Sequence, residues 1–183
     1  MTDALNLLKT AGVENAEKFA PIFEEERKIA QKIARDPDAA PLAVLFVCGQ
    51  NAGRSQLAEA LFKKRLGELS ATGEAVGFSA GSVPAKALNP IVREVLQELD
   101  VDTSSSFPKP ISKEVAGAAS VIVTMGCDTS CPYFAGKKTI DWEIPDAKGK
   151  DKQGIQDIGK SVSKLVDDLI HDLLEIQPPK TTT

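Results

Sequence analysis

The amino-acid sequence predicts an α/β fold: a parallel four-stranded sheet with helices on both faces, preceded by a helical extension. From residue 42 onward, compact apolar runs of strand length alternate with stretches of helical periodicity. The stretch LAVLFVCGQNAGRSQLAEALF, Leu42 to Phe62, reads without a break as strand, tight loop and helix. There is no internal repeat.

Residues 1–40 look helical and unlike the rest. Asp3 to Lys9 is expected to form a short helix with Leu5 and Leu8 on one face. Val13-Glu14-Asn15 opens a second segment, and Pro21 suits the first turn of a third. In IFEEERKIAQKIARD, Ile22, Ile29 and Ile33 make one stripe, with Glu24 and Lys28, and Glu25 and Ile29, four apart on the outer side. Asp36-Pro37 and Pro41 mark a linker between an extension, residues 1–40, and the main domain, residues 41–183. The extension is an extra layer on the core or a docking module; an interaction role, such as a homodimer through residues 1–40, is the expectation.

The main domain then alternates. The first strand is Leu42 to Val47, and the first helix runs from about Arg54 to Leu66, with Leu57, Leu61, Phe62 and Leu66 inward. A second strand, Ala75 to Ala80, ends in SAGS, Ser79 to Ser82. Asn89 caps a helix that Pro90 begins, with Ile91, Val95, Leu96 and Leu99 apolar. Residues 112–118 suit a short helix, Ala119 to Thr124 a third strand, and Thr139 to Asp141 a short fourth. The last helix spans Ile155 to Glu175, with Ile158, Val162, Leu165, Val166, Leu169 and Leu173 as its inner stripe, and PPKTTT is a tail. Ligands of such sheets bind beyond the strands' carboxyl ends. Cys48, the SAGS turn and MGCDTSC would gather there.

Composition narrows the function. The chain has 183 residues and a net charge of −4; its lysines are scattered and only 5% of residues are aromatic, which is no footprint for nucleic acid. No apolar run approaches the length of a membrane span, about 18 residues, and MTDALNLLKTAG has neither the basic start nor the apolar core of a signal peptide. Three cysteines, Cys48, Cys127 and Cys131, do not make a structural disulfide framework but leave catalytic or redox use open. A cytoplasmic chain is expected. The lone histidine, His171, falls on the last helix and reads as a surface or packing residue.

The loop after the first strand carries chemistry. Successive N–H groups of a tight loop opening a helix attract an anion, and the helix dipole adds to them. Arg54 brings a planar fork suited to a tetrahedral oxyanion. A cysteine in that field should sit as thiolate, poised at phosphorus or arsenic. A nucleotide-type phosphate loop is absent, since no lysine follows Gly53.

CGQNAGRS, Cys48 to Ser55, resembles the CxxxxxRS loop of the low-molecular-weight tyrosine phosphatase superfamily, and the later SAGS agrees. VTMGCDTSCP followed by DWEIPD looks like the arsenate reductases of that superfamily. The resemblance covers about residues 42–176 and leaves residues 1–40 outside it. It implies that Gly49, Gln50, Asn51, Ala52, Gly53, Arg54 and Ser55 bind arsenate, with phosphate or sulfate as competing oxyanions. It implies that Cys48 attacks the bound arsenate, that Ser55 hydrogen-bonds the Cys48 sulfur, and that Asn51 braces the loop. A general acid, usually an Asp before a Pro, protonates the leaving oxygen. Here Asp146 precedes Ala147, so the match rests on position after Trp142; Asp141 is the competitor and Asp146 is preferred.

The same resemblance implies a relay. Cys127 attacks the Cys48–arsenic adduct, arsenite leaves, and Cys131 moves the disulfide to Cys127–Cys131. A loop with Gly126, Asp128, Thr129 and Pro132 could allow the bridge. A thioredoxin-like partner then reduces it, although these cysteines stand closer together than in the best-known thioredoxin-coupled members. No bound cofactor is expected. A zinc site would lack its second Cys/His pair. Glu59 and Asp102 match positions where some family members hold a monovalent cation, but salt bridges or caps explain them as well, and no metal is claimed. Trp142 reads as a wall of the pocket or a core ring rather than a catalytic group. The competing function is a tyrosine phosphatase, which needs Cys48, Arg54 and Asp146 but neither Cys127 nor Cys131. The third is a non-enzymatic oxyanion or redox sensor, against which the complete Cys48, Arg54 and Asp146 set argues.

Overall fold

The computed structural model describes residues 2–127 and 131–175. Four strands form one parallel sheet: β1 (Leu42–Cys48), β2 (Ala75–Gly81), β3 (Val121–Thr124) and β4 (Lys138–Asp141), in the order β2-β1-β3-β4. Among the described residues the helices are α1 (Thr2–Thr10), α2 (Ala16–Arg35), α3 (Arg54–Glu68), α4 (Pro90–Glu98), α5 (Lys113–Ala118) and α6 (Lys152–Leu174). The tail PPKTTT lies outside the described residues, as do Asp128 and Thr129. No described helix is long and apolar enough to cross a membrane.

The central strand explains the two layers. Successive side chains of a strand point to opposite faces. Val44, Phe46 and Cys48 join Leu57, Val95, Ile158 and their neighbours from α3, α4 and α6. Ala43, Leu45 and Val47 face the other way, onto Ala30 and Ile33 of α2 and Val115 and Ala118 of α5. Both faces of β1 are covered, so its run is apolar without alternation. Cys127 packs in the second of these layers and Cys48 in the first.

Local chemistry sets the helix ends. The Asn89 side chain accepts hydrogen bonds from the N–H groups of Ile91 and Val92, and Pro90 spends its missing donor where none is needed. Ser112 caps α5 at Val115, and Asp151 caps α6 at Gly154. The inner face of α6 is Ile155, Ile158, Val162, Val166, Leu169 and Ile170. Leu165 and Leu173 lie at its edges, and Leu99, expected among the apolar positions of α4, is 38% exposed at its C-cap. His171 sits in the last turn of α6, about 28 Å along the helix from its start.

The extension differs from its sequence reading in three places. Pro21 does not begin a third helix; α2 continues through it. A proline one turn in removes a hydrogen bond worth about 1 kcal/mol, and burial of Phe19, Ala20 and Phe23 around it offsets that loss. The inward stripe is Ala16, Phe19, Phe23, Ala30 and Ile33, whereas Ile29 is 40% exposed, because 29 falls more than a quarter turn off that line. Glu24 pairs with Arg27 rather than Lys28. Arg27 also forks onto Glu114 of α5 at 3.2 and 2.9 Å and reaches Asp3 of α1 at 2.6 Å. Phe107 inserts between the extension and the core, stacked on Phe19 at 4.5 Å and edge-on to Phe23. The two N-terminal helices are thus a layer of the fold.

Candidate active site

The chain leaves β1 at Cys48, turns through residues 49–53 and enters α3 at Arg54. Every carbonyl of this turn from Cys48 to Ala52 is bonded away from it. Cys48, Gly49 and Gln50 accept from the N–H groups of Ser82, Val83 and Ala85, and Ala52 accepts from that of Asn89, at 2.8–3.2 Å. The Asn51 carbonyl accepts from Gln56 Nε2. The peptides of this turn are trans, so each N–H points opposite to the carbonyl before it. The N–H groups of residues 49–53 therefore converge on the side of Cys48, and that of Asn51 donates to Cys48 Sγ at 3.2 Å. Asn51 holds the one left-handed backbone of the turn, φ 50°, a conformation asparagine tolerates better than most residues.

A buried chain of hydrogen bonds fixes the Cys48 sulfur. Asn51 Nδ2 donates to Ser55 Oγ at 2.7 Å, which leaves the Ser55 hydrogen to donate to Cys48 Sγ at 2.9 Å. Asn51 Oδ1 accepts from Lys109 N at 2.9 Å and Gln56 Nε2 at 3.1 Å, so the amide has one orientation. Gln56 also donates to the Phe107 carbonyl at 2.8 Å. Gly81, the glycine of SAGS, lies where a Cβ would be 2.8 Å from the Gly49 carbonyl. The second strand thus crosses directly against the turn.

Arg54 is 8% exposed; Nη1 donates to the Ile144 carbonyl at 3.4 Å and Nη2 lies 3.7 Å from Asp146 Oδ2. Cys48, Arg54 and Asp146 line one cavity of about 180 Å³ with Gln50, Ala52 and Gly53. The Ala147 methyl lies where a Cβ on Gly53 would be 2.6 Å away; this contact docks the loop that carries Asp146 on the turn of residues 49–53. Asp141, the competitor, is elsewhere: it accepts from Thr124 Oγ1 at 2.7 Å and lines a second cavity with Cys127 and Cys131. Trp142 is buried against Phe46, in the core rather than on the cavity wall.

The other two cysteines are joined as a disulfide, with Cα atoms 5.0 Å apart, and Cys48 is the free thiol. Strand register brings them near the loop. Val47 pairs with Thr124, Met125 N donates to the Val47 carbonyl at 2.8 Å, and Cys127 follows two residues on. Gly126 has φ +66°, and a Cβ there would run into the Arg54 guanidinium. The segment that carries Cys127 therefore starts in contact with Arg54.

Glu59 and Asp102 are both bonded within the chain. Asp102 is exposed and caps Ser104 N. Glu59 accepts from Lys63 at 2.7 Å and from Ser79. Lys109 Nζ stands 3.4 Å from Glu59 and 3.5 Å from Glu26 of α2. Burial pushes the Glu59 carboxyl up, but the Lys109 and Lys63 ammoniums with the Lys63 and Ser79 hydrogen bonds overcome it and hold it at about 2. Burial disfavours the Lys109 ammonium, yet Glu26 and Glu59 hold its pKa above the ordinary lysine value. Glu26 is raised, chiefly by burial, against the pull of Lys109. The sequence did not single out Lys109 or Gln56. Lysine between two prolines carries no sign of burial, and Gln56 was marked only by its place beside the Arg-Ser pair.

The family model described as low molecular weight phosphotyrosine protein phosphatase matches residues 43–177. The chain is 32% identical over 137 residues to a protein of Oceanobacillus iheyensis named arsenate reductase, covering 73% of this chain and 92% of that protein. It is 28% identical to a putative arsenate reductase of Halobacterium salinarum, covering 69% and 89%. The structure of a thioredoxin-dependent arsenate reductase of Corynebacterium glutamicum matches with a TM-score of 0.78 and 34% identity, over 96% of this chain and 85% of that one.

Proposed function

We propose that this chain, which belongs to the low molecular weight phosphotyrosine protein phosphatase family, is an arsenate reductase that draws its electrons from a thioredoxin-like dithiol. The observation that carries this reading is the pairing of a free thiol under an anion turn with a disulfide at the end of the adjacent strand. Relatives named arsenate reductase and a thioredoxin-dependent structural relative support it.

The reaction follows from the geometry. Arsenate enters the turn, held by the N–H groups of residues 49–53 and the Arg54 guanidinium. The Cys48 thiolate, stabilised by Ser55 and Asn51 N–H, attacks arsenic; an As–O bond breaks and Asp146 gives the leaving oxygen its proton. Cys127 thiolate then attacks Cys48 Sγ. The S–As electron pair goes to arsenic, which leaves as arsenite, reduced by two electrons, and a Cys48–Cys127 disulfide remains. Cys131 thiolate attacks Cys127, frees Cys48 and forms the Cys127–Cys131 bridge, which an external dithiol reopens. Cys131 is the more exposed of that pair, so the oxidation travels outward. A reducing, cytoplasmic compartment suits the free Cys48.

Catalysis belongs to residues 41–183. A homodimer through residues 1–40 would have to use the outer face of α2, where Ile29 is exposed, because the inner stripe is spent on the chain's own core. The phosphatase reading is weaker: Ala85, Ala87, Pro90 and Ala147 line the cavity around Asp146, and no aromatic ring among its lining residues would grip a tyrosine. The test is turnover of arsenate with a thioredoxin system. Substituting serine for any of the three cysteines abolishes it, and Cys131→Ser traps a Cys48–Cys127 disulfide detectable by mass spectrometry. Normal turnover by Cys127→Ser would overturn the relay; turnover with only a small thiol and a glutaredoxin-like partner would replace the reductant.

A further inference from the structure

Lys109 and Glu59 are buried charges, with the partly buried Glu26 beside Lys109, and the reaction above uses none of them. We propose that this cluster sets the electrostatic field at the anion turn: Lys109 is a positioning residue, and through Glu26 helix α2 of the N-terminal extension tunes oxyanion affinity and the ionisation of Cys48. The proposal rests on the anion-turn reading of residues 48–55, not on the identity of the reductant.

Two observations carry it. The first is connectivity. Lys109 N donates to Asn51 Oδ1, Asn51 Nδ2 donates to Ser55, and Ser55 meets Cys48 Sγ. The residue that locks the turn's asparagine by its backbone is thus the one that carries the buried ammonium. Its carbonyl accepts from Gly81 N at 2.8 Å, which pins it to β2 as well.

The second is charge in a dry place. Lys109 and Glu59 side chains are 4% and 7% exposed, and Glu26 is 18%. The groups facing them are Lys63 from α3, half in solvent, Ser79 from β2, and Asp102 at the exposed rim of a cavity of about 190 Å³. That cavity shares no lining residue with the one over Cys48, so these charges act through the turn and not on the substrate directly. Water screens them little there. Without the Lys109 ammonium, Glu59 and Glu26 leave negative charge beside a turn that must hold an oxyanion and a thiolate. Without the Glu26 charge, the balance moves the other way. A purely structural role would make both substitutions harmful; an electrostatic one makes their effects opposite in sign.

The test uses the full-length protein with Cys127 and Cys131 changed to Ser, inorganic phosphate as the probe anion, and the pH dependence of Cys48 alkylation by iodoacetamide. Neither readout involves arsenate or a reductant, so they are separate from the success of the reductase assignment. Lys109→Met should weaken phosphate binding by on the order of tenfold and raise the alkylation midpoint by about one pH unit. Lys109→Arg should restore both to within about threefold. Glu26→Gln should tighten phosphate binding by about threefold and lower the midpoint. A folded Lys109→Met protein with both readouts unchanged would overturn the proposal. Should that variant fail to fold, Glu26→Gln decides: unchanged or weakened phosphate binding overturns it.

Discussion

At the end of β1, the turn from Cys48 to Ser55 is buried almost throughout, with every carbonyl from 48 to 52 bonded outward and both ends of Asn51 spent. At the end of β3, one strand away, the chain carrying Cys127 and Cys131 climbs from a buried sulfur to an exposed surface, where Tyr133 is 90% accessible. On the proposed reaction, the contrast follows from what each must do. A cradle for a tetrahedral anion works by having its donors already aimed. A relay must hand oxidation from a dry site to a partner in solvent, so its two ends cannot share an environment. Arg54 and Gly126 are where the two regions touch.

Substitutions can separate the two halves. The largest effect should come from the cysteines. Cys48→Ser should abolish both arsenate turnover and any hydrolysis of p-nitrophenyl phosphate, whereas Cys127→Ser should lose only arsenate turnover. Equal loss of hydrolysis in both would show that the second region is part of the cradle. Next comes the acid. Asp146→Asn should slow arsenate turnover by about 10²-fold or more, while Asp141→Asn, bonded to Thr124 in the other region, should stay within about twofold. The reverse order would move the general acid to β4.

Smaller effects probe the junction and the base of the cradle. Gly126→Ala forces a Cβ into the Arg54 guanidinium and a left-handed backbone that costs about 1–2 kcal/mol. Steady-state kinetics should show on the order of tenfold loss in kcat/KM for arsenate, mostly in KM; an unchanged KM would free Arg54 from that contact. The smallest effect is on stability against pH. Glu59 is held at about 2, below its ordinary 4.5, so its contribution is full above about 4.5 and is lost as pH falls toward 2. Glu26 is raised, so its burial cost is relieved as pH falls through its raised value. Thermal unfolding between about pH 5 and pH 3 should show a shallower acid loss for Glu59→Gln than for the parent chain, whereas the Glu26→Gln difference should appear above about pH 4.5, where the parent chain gains stability on acidification and the variant does not.

The sheet, its four strands and the anion turn were legible in the sequence because their signals are local. An apolar run buried on both faces, a Cys-to-Arg spacing set by one turn, an Asn-Pro cap and a strand ending in Ser-Ala-Gly-Ser each express their chemistry within a few residues. The three cysteines, too few and too odd in number for a disulfide framework, left catalytic or redox use open. Other features needed contacts between residues far apart in the chain. Pro21 continues a helix because Phe19 and Phe23 are buried against Phe107, more than 80 residues away. Ile29 faces out because Arg27 faces Glu114. Asp146 and Asp141 are both Asp near Trp142 in sequence, and only the docking of Ala147 on Gly53 brings one of them to Arg54. Lys109 becomes a buried cation because Glu26 and Glu59 arrive from two different helices to meet it. Hydrophobic pattern and turn chemistry are properties of a short stretch, whereas the burial of a charge depends on which distant groups come to neutralise it, and that is settled only when the layers pack.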